Sequence, residues 1–301
     1  MESDRLGGSD LEISRVGLGC NNFGRRLDRA RTAAVVEAAL DVGITFFDTA
    51  DIYGDGDSER FLAAALGDRR GDVVIATKFG QDASVPGPGG SRDHMRRAFA
   101  ASLERLGTDV VDLYYYHRPD GVTPLVETLS AMQELVDEGS VRWLGLSNVD
   151  RGLLDEAAAA GAPVVAVQNR YSLMDRRDDA AVLPRCRELG IGYVPYFPLE
   201  SGLLTGKYGR GVPAPEGTRL AGNSDSLSDE RFDRMEELQR FAGEHGASLL
   251  ELAIGGLASV PGVASVIAGA TSPDQVRANA AAGAWHLDAD GLDALRAPEV
   301  G

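Results

Sequence analysis

The chain has 301 residues, of which 44% are hydrophobic and 25% charged, and its formal net charge is −16 at pH 7. This composition excludes a disordered or collagen-like chain. The negative charge argues against a surface for nucleic acid or anionic membranes, which requires clustered positive charge, so we expect small molecules as partners. Cys20 and Cys186 are too few for a disulfide framework. No signal peptide or apolar membrane span is evident, and a soluble protein of a reducing cytoplasm is expected.

The chain begins with a predicted hairpin and continues with alternating strands and helices. The hairpin is expected around Gly7 and Gly8. Short apolar runs then predict strands at residues 16–20, 46–48, 73–77, 110–116, 141–146, 164–167, 191–196 and 264–269. Helical spacing of apolar residues follows the strands, as in Met95, Phe99 and Leu103 after the cap Ser91.

Eight strand-then-helix units without a low-complexity linker predict an α/β fold of the (β/α)₈ TIM barrel type. They also predict a single domain over residues 1–301. An open doubly wound sheet is the alternative. It is disfavoured because no strand is followed by G-x-G-x-x-G with an acidic residue about 20 positions further on.

One connection, after the seventh strand, is longer than the others. Residues 199–229 carry little periodicity, residues 230–241 look helical, and Ser248 with Glu251 forms a capping box for another helix. The barrel is therefore expected to carry an extra helix between strand 7 and helix 7. A long loop in a compact domain is usually functional, and its apolar first half, residues 199–208, is predicted to pack on a cofactor.

Four polar residues lie at or just after the ends of strands two, three and four: Asp48, Tyr53, Lys78 and His117. Each alone has an ordinary interpretation as a turn residue, a loop aromatic, a solvated strand end or a hydrogen-bonded histidine. In a closed parallel barrel, however, these strand ends surround one rim, so the four side chains can converge. Lys78 and Lys207 are the only lysines among 30 basic residues, which suggests a need for a compact ammonium group.

The four side chains together suit proton transfer to a carbonyl oxygen. A phenol with its usual pKa of about 10 is a poor acid at neutral pH. An adjacent ammonium group is expected to lower the pKa of Tyr53, and a carboxylate keeps that ammonium charged. An imidazole can polarise the carbonyl oxygen. The four groups supply no hydride, so a cofactor is required.

A series of short motifs runs along the chain: GLGCNNFG at 17–24, FDTADIY at 47–53, ATK at 76–78, YH at 116–117, GLSN at 145–148, VQN at 167–169, YFPL at 196–199, GLLTGK at 202–207 and GATSPDQVRAN at 269–279. With these motifs in this order, the sequence resembles the aldo-keto reductase family, bacterial type, over nearly its whole length. The resemblance implies a carbonyl reductase that uses NADP(H) or NAD(H). Tyr53 would be its general acid/base, Lys78 and Asp48 would tune Tyr53, and His117 would orient the substrate.

The resemblance also implies a cofactor site. Ser147, Asn148 and Gln168 would bind the nicotinamide carboxamide, and Tyr196 would stack on its ring, while residues 199–207 cover the pyrophosphate and the last helix holds the adenosine phosphate. The full implied set is Gly19, Cys20, Asn21, Asp48, Ser147, Asn148, Gln168, Tyr196, Phe197, Pro198, Leu199, Ser201, Gly202, Leu204, Lys207, Gly269, Thr271, Gln275 and Asn279. No metal is expected.

The substrate pocket is expected to be built from Phe23, Tyr53, Phe79, His117 and Arg118 with the loops 80–90 and 209–229. Its aromatic residues suggest apolar tolerance, while Arg118 could accept an anionic or sugar substrate. Both alternatives stay open, and nothing in the sequence indicates an oligomeric state.

The cofactor preference is predicted to be weak. Residues 269–275 contain no arginine or lysine and include Asp274, so a 2′-phosphate would meet helix N–H groups without a cation there. An aldose dehydrogenase working oxidatively is one alternative function. A non-catalytic cofactor-binding subunit, like the channel-associated β subunits that share this barrel, is another. A metal-dependent hydrolase is disfavoured because no strand carries an H-x-H pair.

Overall fold

The computed structural model describes residues 1–221 and 227–296. The chain opens with the predicted hairpin, whose strands β1 (Ser3–Arg5) and β2 (Glu12–Ser14) are antiparallel. Three apolar side chains of this segment, Leu6, Leu11 and Ile13, are buried against residues inside the barrel. The hairpin therefore closes one end of the barrel, and the opposite end is left for a site.

The barrel has eight parallel strands, as the sequence predicts. In chain order they are β3 (Val16–Gly19), β4 (Phe46–Asp48), β5 (Val74–Phe79), β6 (Val111–Tyr116), β7 (Val141–Ser147), β8 (Val164–Gln168), β9 (Gly192–Tyr193) and β10 (Val266–Gly269). From β3 to β9 each strand pairs with the next strand in sequence, and β10 pairs with β3.

The remaining seam, between β9 and β10, is closed by isolated backbone contacts. Tyr193 N donates to Gly262 O at 2.9 Å, and Ile267 N donates to Pro195 O at 3.1 Å. A regular strand was expected over 191–196, but only Gly192–Tyr193 is regular. Pro195 lacks the N–H that a strand ladder needs, so the chain continues along the seam without regular pairing.

Helices surround the sheet. They are α1 (Arg29–Asp41), α2 (Asp57–Leu66), α3 (Arg92–Leu106), α4 (Leu125–Asp137), α5 (Arg151–Ala159), α6 (Val182–Leu189), α7 (Asp229–Glu244), α8 (Leu249–Glu251), α9 (Pro273–Ala282) and α10 (Ala289–Arg296). Helix α7 is the predicted extra helix, between the seventh barrel strand and α8. Helix α8 continues into a π-helical turn, Leu252–Gly256. None of the helices in the described ranges combines the length and apolarity needed to cross a membrane.

The core has two layers, which follow from the alternation of side chains along each strand. Tyr115 of β6 points into the barrel interior with Phe46 of β4, whereas its neighbours Tyr114 and Tyr116 pack on the helix side. Side chains filling the interior leave no pore. The carboxyl ends of the strands, with the loops that follow them, therefore carry the accessible polar groups.

Candidate active site

An open cleft of about 470 Å³ lies at the carboxyl ends of the strands. Most of the residues implied for the cofactor line it: Gly19, Cys20, Asn21, Asp48, Ser147, Asn148, Gln168, Tyr196, Phe197, Pro198, Leu199, Ser201, Gly202, Lys207, Gly269, Thr271, Gln275 and Asn279. Of the residues expected for the substrate, Tyr53, His117 and Arg118 line it as well. The cleft thus joins loops from strands far apart in sequence.

A buried ion pair lies beneath the cleft. Lys78 Nζ donates to Asp48 Oδ2 and to Thr49 O, both at 2.7 Å, and the Lys78 side chain is 0% exposed. The second carboxylate oxygen, Asp48 Oδ1, accepts from Gln168 Nε2 at 2.7 Å. Burial lowers the pKa of Lys78, but the charge of Asp48 and the neighbouring Tyr53 together raise it by more. The net direction is upward, so the lysine is held in its charged form.

Tyr53 lies directly against this ion pair. Lys78 Nζ is 5.1 Å from the centroid of the Tyr53 ring. The expectation that the ammonium lowers the pKa of Tyr53 is wrong in its net direction. Burial raises the pKa of Tyr53 above its usual value, and Lys78 opposes only part of that rise. The phenol is therefore protonated at neutral pH, the form that a proton donor needs.

His117 stands edge-on to Tyr53, with ring centroids 6.0 Å apart and an interplanar angle of 84°. Burial, with the positive charges of Lys78 and Arg118, lowers the pKa of His117 to about 3. The imidazole is therefore neutral under physiological conditions. Its Nδ1 is buried and has no hydrogen-bond partner among the described residues. Such a ring can donate one hydrogen bond without competing for the proton of Tyr53.

The amide and hydroxyl groups of one wall form a connected network. Asn148 has a left-handed backbone with φ of 58°, and its Nδ2 donates to His117 O at 2.8 Å. Its Oδ1 accepts from the Tyr196 hydroxyl at 2.7 Å. Ser147 Oγ donates to Gln168 O at 2.7 Å. These hydrogen bonds hold Ser147, Asn148 and Gln168, which are predicted to bind the nicotinamide carboxamide, in one wall of the cleft.

The opposite wall is a tight turn, Glu200–Thr205. Phe197, Glu200 and Ser201 all have left-handed backbones, with φ of 67°, 46° and 60°. Glu200 is 1% exposed and accepts from Arg170 Nη2 at 2.8 Å, Arg231 Nη2 at 3.0 Å and Ser172 Oγ at 2.8 Å. One carboxylate therefore joins this turn to the end of β8 and to the extra helix α7.

Helix α9 begins at the far end of the cleft. Ser272 caps it by accepting from Gln275 N. The Gln275 side chain departs from a capping box, because its Oε1 accepts from Thr271 N at 2.8 Å rather than from the capping residue. Asp274, beside this end, pairs with Arg277 at 3.2 Å, which offsets its negative charge.

Three residues expected in the site lie elsewhere in the structure. Phe23, Phe79 and Leu204 are fully buried in the core, and none of them lines the cleft. Phe79 follows Lys78 on β5, and successive strand residues point to opposite faces. Lys78 reaches the site, so Phe79 stacks on Tyr114 and Tyr116 on the helix side, with ring centroids 4.9 and 5.2 Å away.

Some lining residues were not singled out from the sequence, although several lie in segments predicted to contribute to the site, namely residues 80–90, 199–207 and 209–229. They are Asn22, Arg26, Gln81, Glu200, Thr205, Gly217, Thr218, Arg219, Leu250, Ile267 and Ala278. Asn22, Gln81 and Glu200 adjoin motifs already identified, so their proximity was a usable signal. Arg219 lies in the aperiodic loop, where no sequence pattern fixes its position. No cluster of metal-ligating side chains occurs within residues 1–221 and 227–296.

A parallel barrel with a tyrosine, lysine, aspartate and histidine at its carboxyl rim defines an oxidoreductase class. A model of the Aldo/keto reductase family matches residues 15–298. A probable voltage-gated potassium channel subunit beta of Oryza sativa subsp. japonica is 36% identical over 296 residues, covering 93% of this chain and 90% of that protein. The chain belongs to the aldo/keto reductase family and is an NAD(P)H-dependent oxidoreductase.

Solved structures agree with this assignment. An aldo-keto reductase from Bacillus halodurans, in its holo form, gives a TM-score of 0.83 at 32% identity and covers 98% of this chain and 95% of its own. A glycerol dehydrogenase from Gluconobacter oxydans gives a TM-score of 0.85 at 27% identity, with coverage of 97% and 93%. Members of the family generally use nicotinamide cofactors.

Proposed function

We propose that this protein reversibly reduces a carbonyl group of an aldehyde, ketone or sugar to an alcohol, with Tyr53 as the general acid/base. The observation that supports this most directly is the contact of Tyr53 with the buried Lys78 and Asp48 pair at the wall of the cleft. Proton transfer by such a positioned group typically contributes about 10²- to 10⁴-fold in rate.

The lining of the cleft fits a nicotinamide dinucleotide. Ser147, Asn148 and Gln168 offer amide and hydroxyl groups for a carboxamide, and Tyr196 offers a flat ring. Arg219 lines the same cleft, as does the start of α9, and both suit phosphate. A bound nicotinamide would supply the hydride. The prediction of weak discrimination between NADPH and NADH stands, although Arg219 supplies a cation that the 269–275 segment lacks.

Each residue of the group has a distinct task during reduction. Tyr53, protonated at neutral pH, donates its proton to the carbonyl oxygen as negative charge develops there. The Lys78 ammonium stabilises the phenolate that remains, and Asp48 keeps the ammonium charged in its buried position. Neutral His117 donates an N–H to the same oxygen, which stabilises the transition state. The same steps in reverse serve alcohol oxidation, so an aldose dehydrogenase uses the same residues.

A second candidate function is regulatory. The 36% sequence identity with a probable voltage-gated potassium channel subunit beta favours it. Cofactor binding without turnover would suffice for that role. The assembly of Asp48, Tyr53, Lys78 and His117 supports catalysis instead, since a binding module needs no phenol held against a buried ammonium group. We further propose that residues 1–301 form one domain, and that the buried, free Cys20 and Cys186 suit a reducing cytoplasm.

The test is the Tyr53→Phe variant, assayed for carbonyl reduction with NADPH and NADH on a panel of aldehydes, ketones and sugars. We expect kcat to fall by about 10²-fold or more, because the proton donor is lost, while cofactor affinity measured by fluorescence titration is retained. The matched control is Tyr114→Phe, which removes a buried hydroxyl that has no partner among the described residues. Unchanged turnover in Tyr53→Phe would remove the role assigned to it.

A further inference from the structure

The cleft is positively charged although the protein carries a net charge of −16. Among the described residues two carboxylates line it, and both are paired: Asp48 with Lys78, and Glu200 with Arg170 and Arg231. Four cations also line the cleft: Arg26, Arg118, Lys207 and Arg219. Within residues 1–221 and 227–296 none of the four lies within ion-pair distance of a carboxylate. The cleft is therefore built to receive anions.

Two of these cations stand at the end of the cleft where α9 begins. Arg219 Nη2 donates to Asn22 Oδ1 at 3.0 Å, and Asn22 Nδ2 donates to Ala270 O at 3.1 Å, just before α9. Arg26 Nη2 donates to Gly217 O at 3.0 Å, in the same loop as Arg219. Together with the helix N-terminus they suit the phosphates of a dinucleotide. They therefore account for the positive charge at that end.

Arg118 is not part of that group. It follows His117 directly, and its positive charge contributes to lowering the pKa of His117. Its Nη2 is 3.4 Å from Asn148 Oδ1, an oxygen that already accepts a 2.7 Å hydrogen bond from the Tyr196 hydroxyl. Arg118 thus stands at the reacting end of the cleft, beside the imidazole that faces Tyr53.

The guanidinium of Arg118 has unused capacity. It carries five N–H donors, and its single hydrogen bond within the described part of the chain is the long one to Asn148. The side chain is exposed to solvent. At this end His117 and Asn148 line the cleft beside the rings of Tyr53 and Tyr196, which both carry hydroxyl groups. The apolar rings of Phe23 and Phe79 lie in the core instead. This end of the cleft is polar and cationic.

We propose that Arg118 binds a carboxylate of the substrate. The enzyme would then reduce small oxo acids, that is, aldehydes or ketones that carry a carboxylate. The fork of a guanidinium matches the two oxygens of a carboxylate, which would fix the distance between the carboxylate and the reacting carbonyl. This inference rests on the proposed function, since Tyr53 is taken as the proton donor. Arg118 is a specificity-determining residue.

The experiment compares each acid with its neutral ester. The probes are 4-oxobutanoate with methyl 4-oxobutanoate, and pyruvate with methyl pyruvate, which place the carboxylate at two distances from the carbonyl. The readout is the ratio of kcat/KM for acid over ester, so that any loss common to both substrates cancels. For the acid of the preferred length we expect a ratio of about ten or more, the factor expected from a charge-assisted hydrogen bond.

Three variants locate the effect. Arg118→Met, of similar length but uncharged, should bring the ratio to about one, and Arg118→Lys should keep an intermediate ratio, because an ammonium retains the charge without the fork. Arg240→Met removes the same charge from an exposed site on α7 and should leave the ratio as in the wild type. Rising ionic strength should lower the wild-type ratio, since Arg118 is exposed to screening.

The outcomes separate this inference from the function on which it rests. A wild-type enzyme that reduces esters and acids equally well, or that reduces neutral carbonyls only, overturns the carboxylate proposal and leaves the role of Tyr53 standing. A high ratio that persists in Arg118→Met also overturns it. If the wild type reduces no carbonyl compound and Tyr53→Phe behaves identically, the proposed function fails instead.

Discussion

Burial, rather than a neighbouring charge alone, sets the protonation of Tyr53 and His117, the two rings proposed to face the substrate. Tyr53 is kept protonated because burial raises its pKa against the effect of Lys78. His117 is kept neutral because burial lowers its pKa to about 3, with help from two cations. The two rings are thus in the forms that the proposed carbonyl reduction needs, a proton donor and an uncharged hydrogen-bond donor.

The pH dependence of reduction follows from these two directions. His117 gains a proton only below its lowered pKa of about 3, and Tyr53 loses its proton only above its usual alkaline range. We expect kcat/KM for reduction to be flat from about pH 5 to about pH 9 and to fall only at higher pH. The measurement is a pH–rate profile with folding checked by circular dichroism at each pH. A limb with an apparent pKa near 6.5 would contradict the neutral assignment of His117.

The four candidate residues Asp48, Tyr53, Lys78 and His117 could be predicted from the sequence. They lie at or just after the ends of strands in a chain where strands and helices alternate. The net pKa of Tyr53 could not, because the loss of water around it depends on packing by distant segments. The face of the strand to which the Phe79 side chain points was predictable in principle. Once Lys78 is assigned to the rim, strand alternation sends the next residue to the other face.

At the scale of elements, the turn Glu200–Thr205 depends on one carboxylate. Glu200 and Ser201 adopt left-handed backbones, a conformation that costs energy for residues other than glycine. The hydrogen bonds from Arg170, Arg231 and Ser172 to Glu200 offset that cost and hold the turn against the cleft. The extra helix α7, which carries Arg231, therefore stabilises a wall of the site.

Glu200→Gln tests this connection. The amide keeps the shape but loses the charge, so Arg170 and Arg231 are left with a weaker partner, and we expect the dissociation constant of NADPH to rise by about tenfold. The Tm should also fall, by a few degrees. The control is Glu236→Gln. Glu236 also lies on α7, and this change weakens its exposed ion pair with Arg210. Equal NADPH affinity in wild type and Glu200→Gln would show that the turn holds its form without this carboxylate.

Most elements could be predicted from periodicity, including the hairpin and α7. The exceptions share a physical cause. Strand β9 is short because Pro195 cannot join the ladder, although its apolar run is typical of a longer strand. The loop that carries Gly217 and Arg219 has no periodicity, so only its packing across the cleft reveals that it faces Asn22.

For the whole molecule, two buried groups give the unfolding free energy opposite dependences on pH. Asp51 is 2% exposed, and neither carboxylate oxygen has a partner among the described residues. Burial raises its pKa to about 7, with Glu59 and Asp82 adding to the rise. The folded state therefore holds this proton longer than the unfolded chain, so this contribution to stability falls as pH rises from about 4 to about 7. For His117, whose pKa is lowered, stability is lost as pH falls from about 6.5 to about 3.

Asp51→Asn should reveal the first of these contributions. The amide cannot ionise, so relative to wild type its unfolding free energy should rise between pH 4.5 and pH 8, by up to about 4 kcal/mol for a shift of this size. Urea unfolding at both pH values measures the difference. Asp68→Asn, at an exposed position, changes the net charge equally and should show no such trend. A pH-independent difference between Asp51→Asn and wild type would mean that Asp51 is ionised when folded.

The closed barrel and the position of its site were predictable at this scale because eight strand-then-helix units allow few other arrangements. That residues 1–301 form one domain stays a prediction. The positive charge of the cleft was not predictable, because a net charge of −16 does not show which arginines lie in the cleft without a carboxylate partner among the described residues.

The scarcity of lysine has a practical consequence for anyone handling the protein. Lys78 is inaccessible and Lys207 is exposed at the cleft, so acylating reagents meet only Lys207 and the α-amine of Met1. Attachment of a dye, a biotin or a solid support through amines would place the adduct at the mouth of the site or at the chain start. Thiol-directed labelling offers no accessible alternative, since Cys20 and Cys186 are both buried. An immobilised or labelled preparation therefore needs an engineered handle far from the rim, or the label itself will act as an inhibitor.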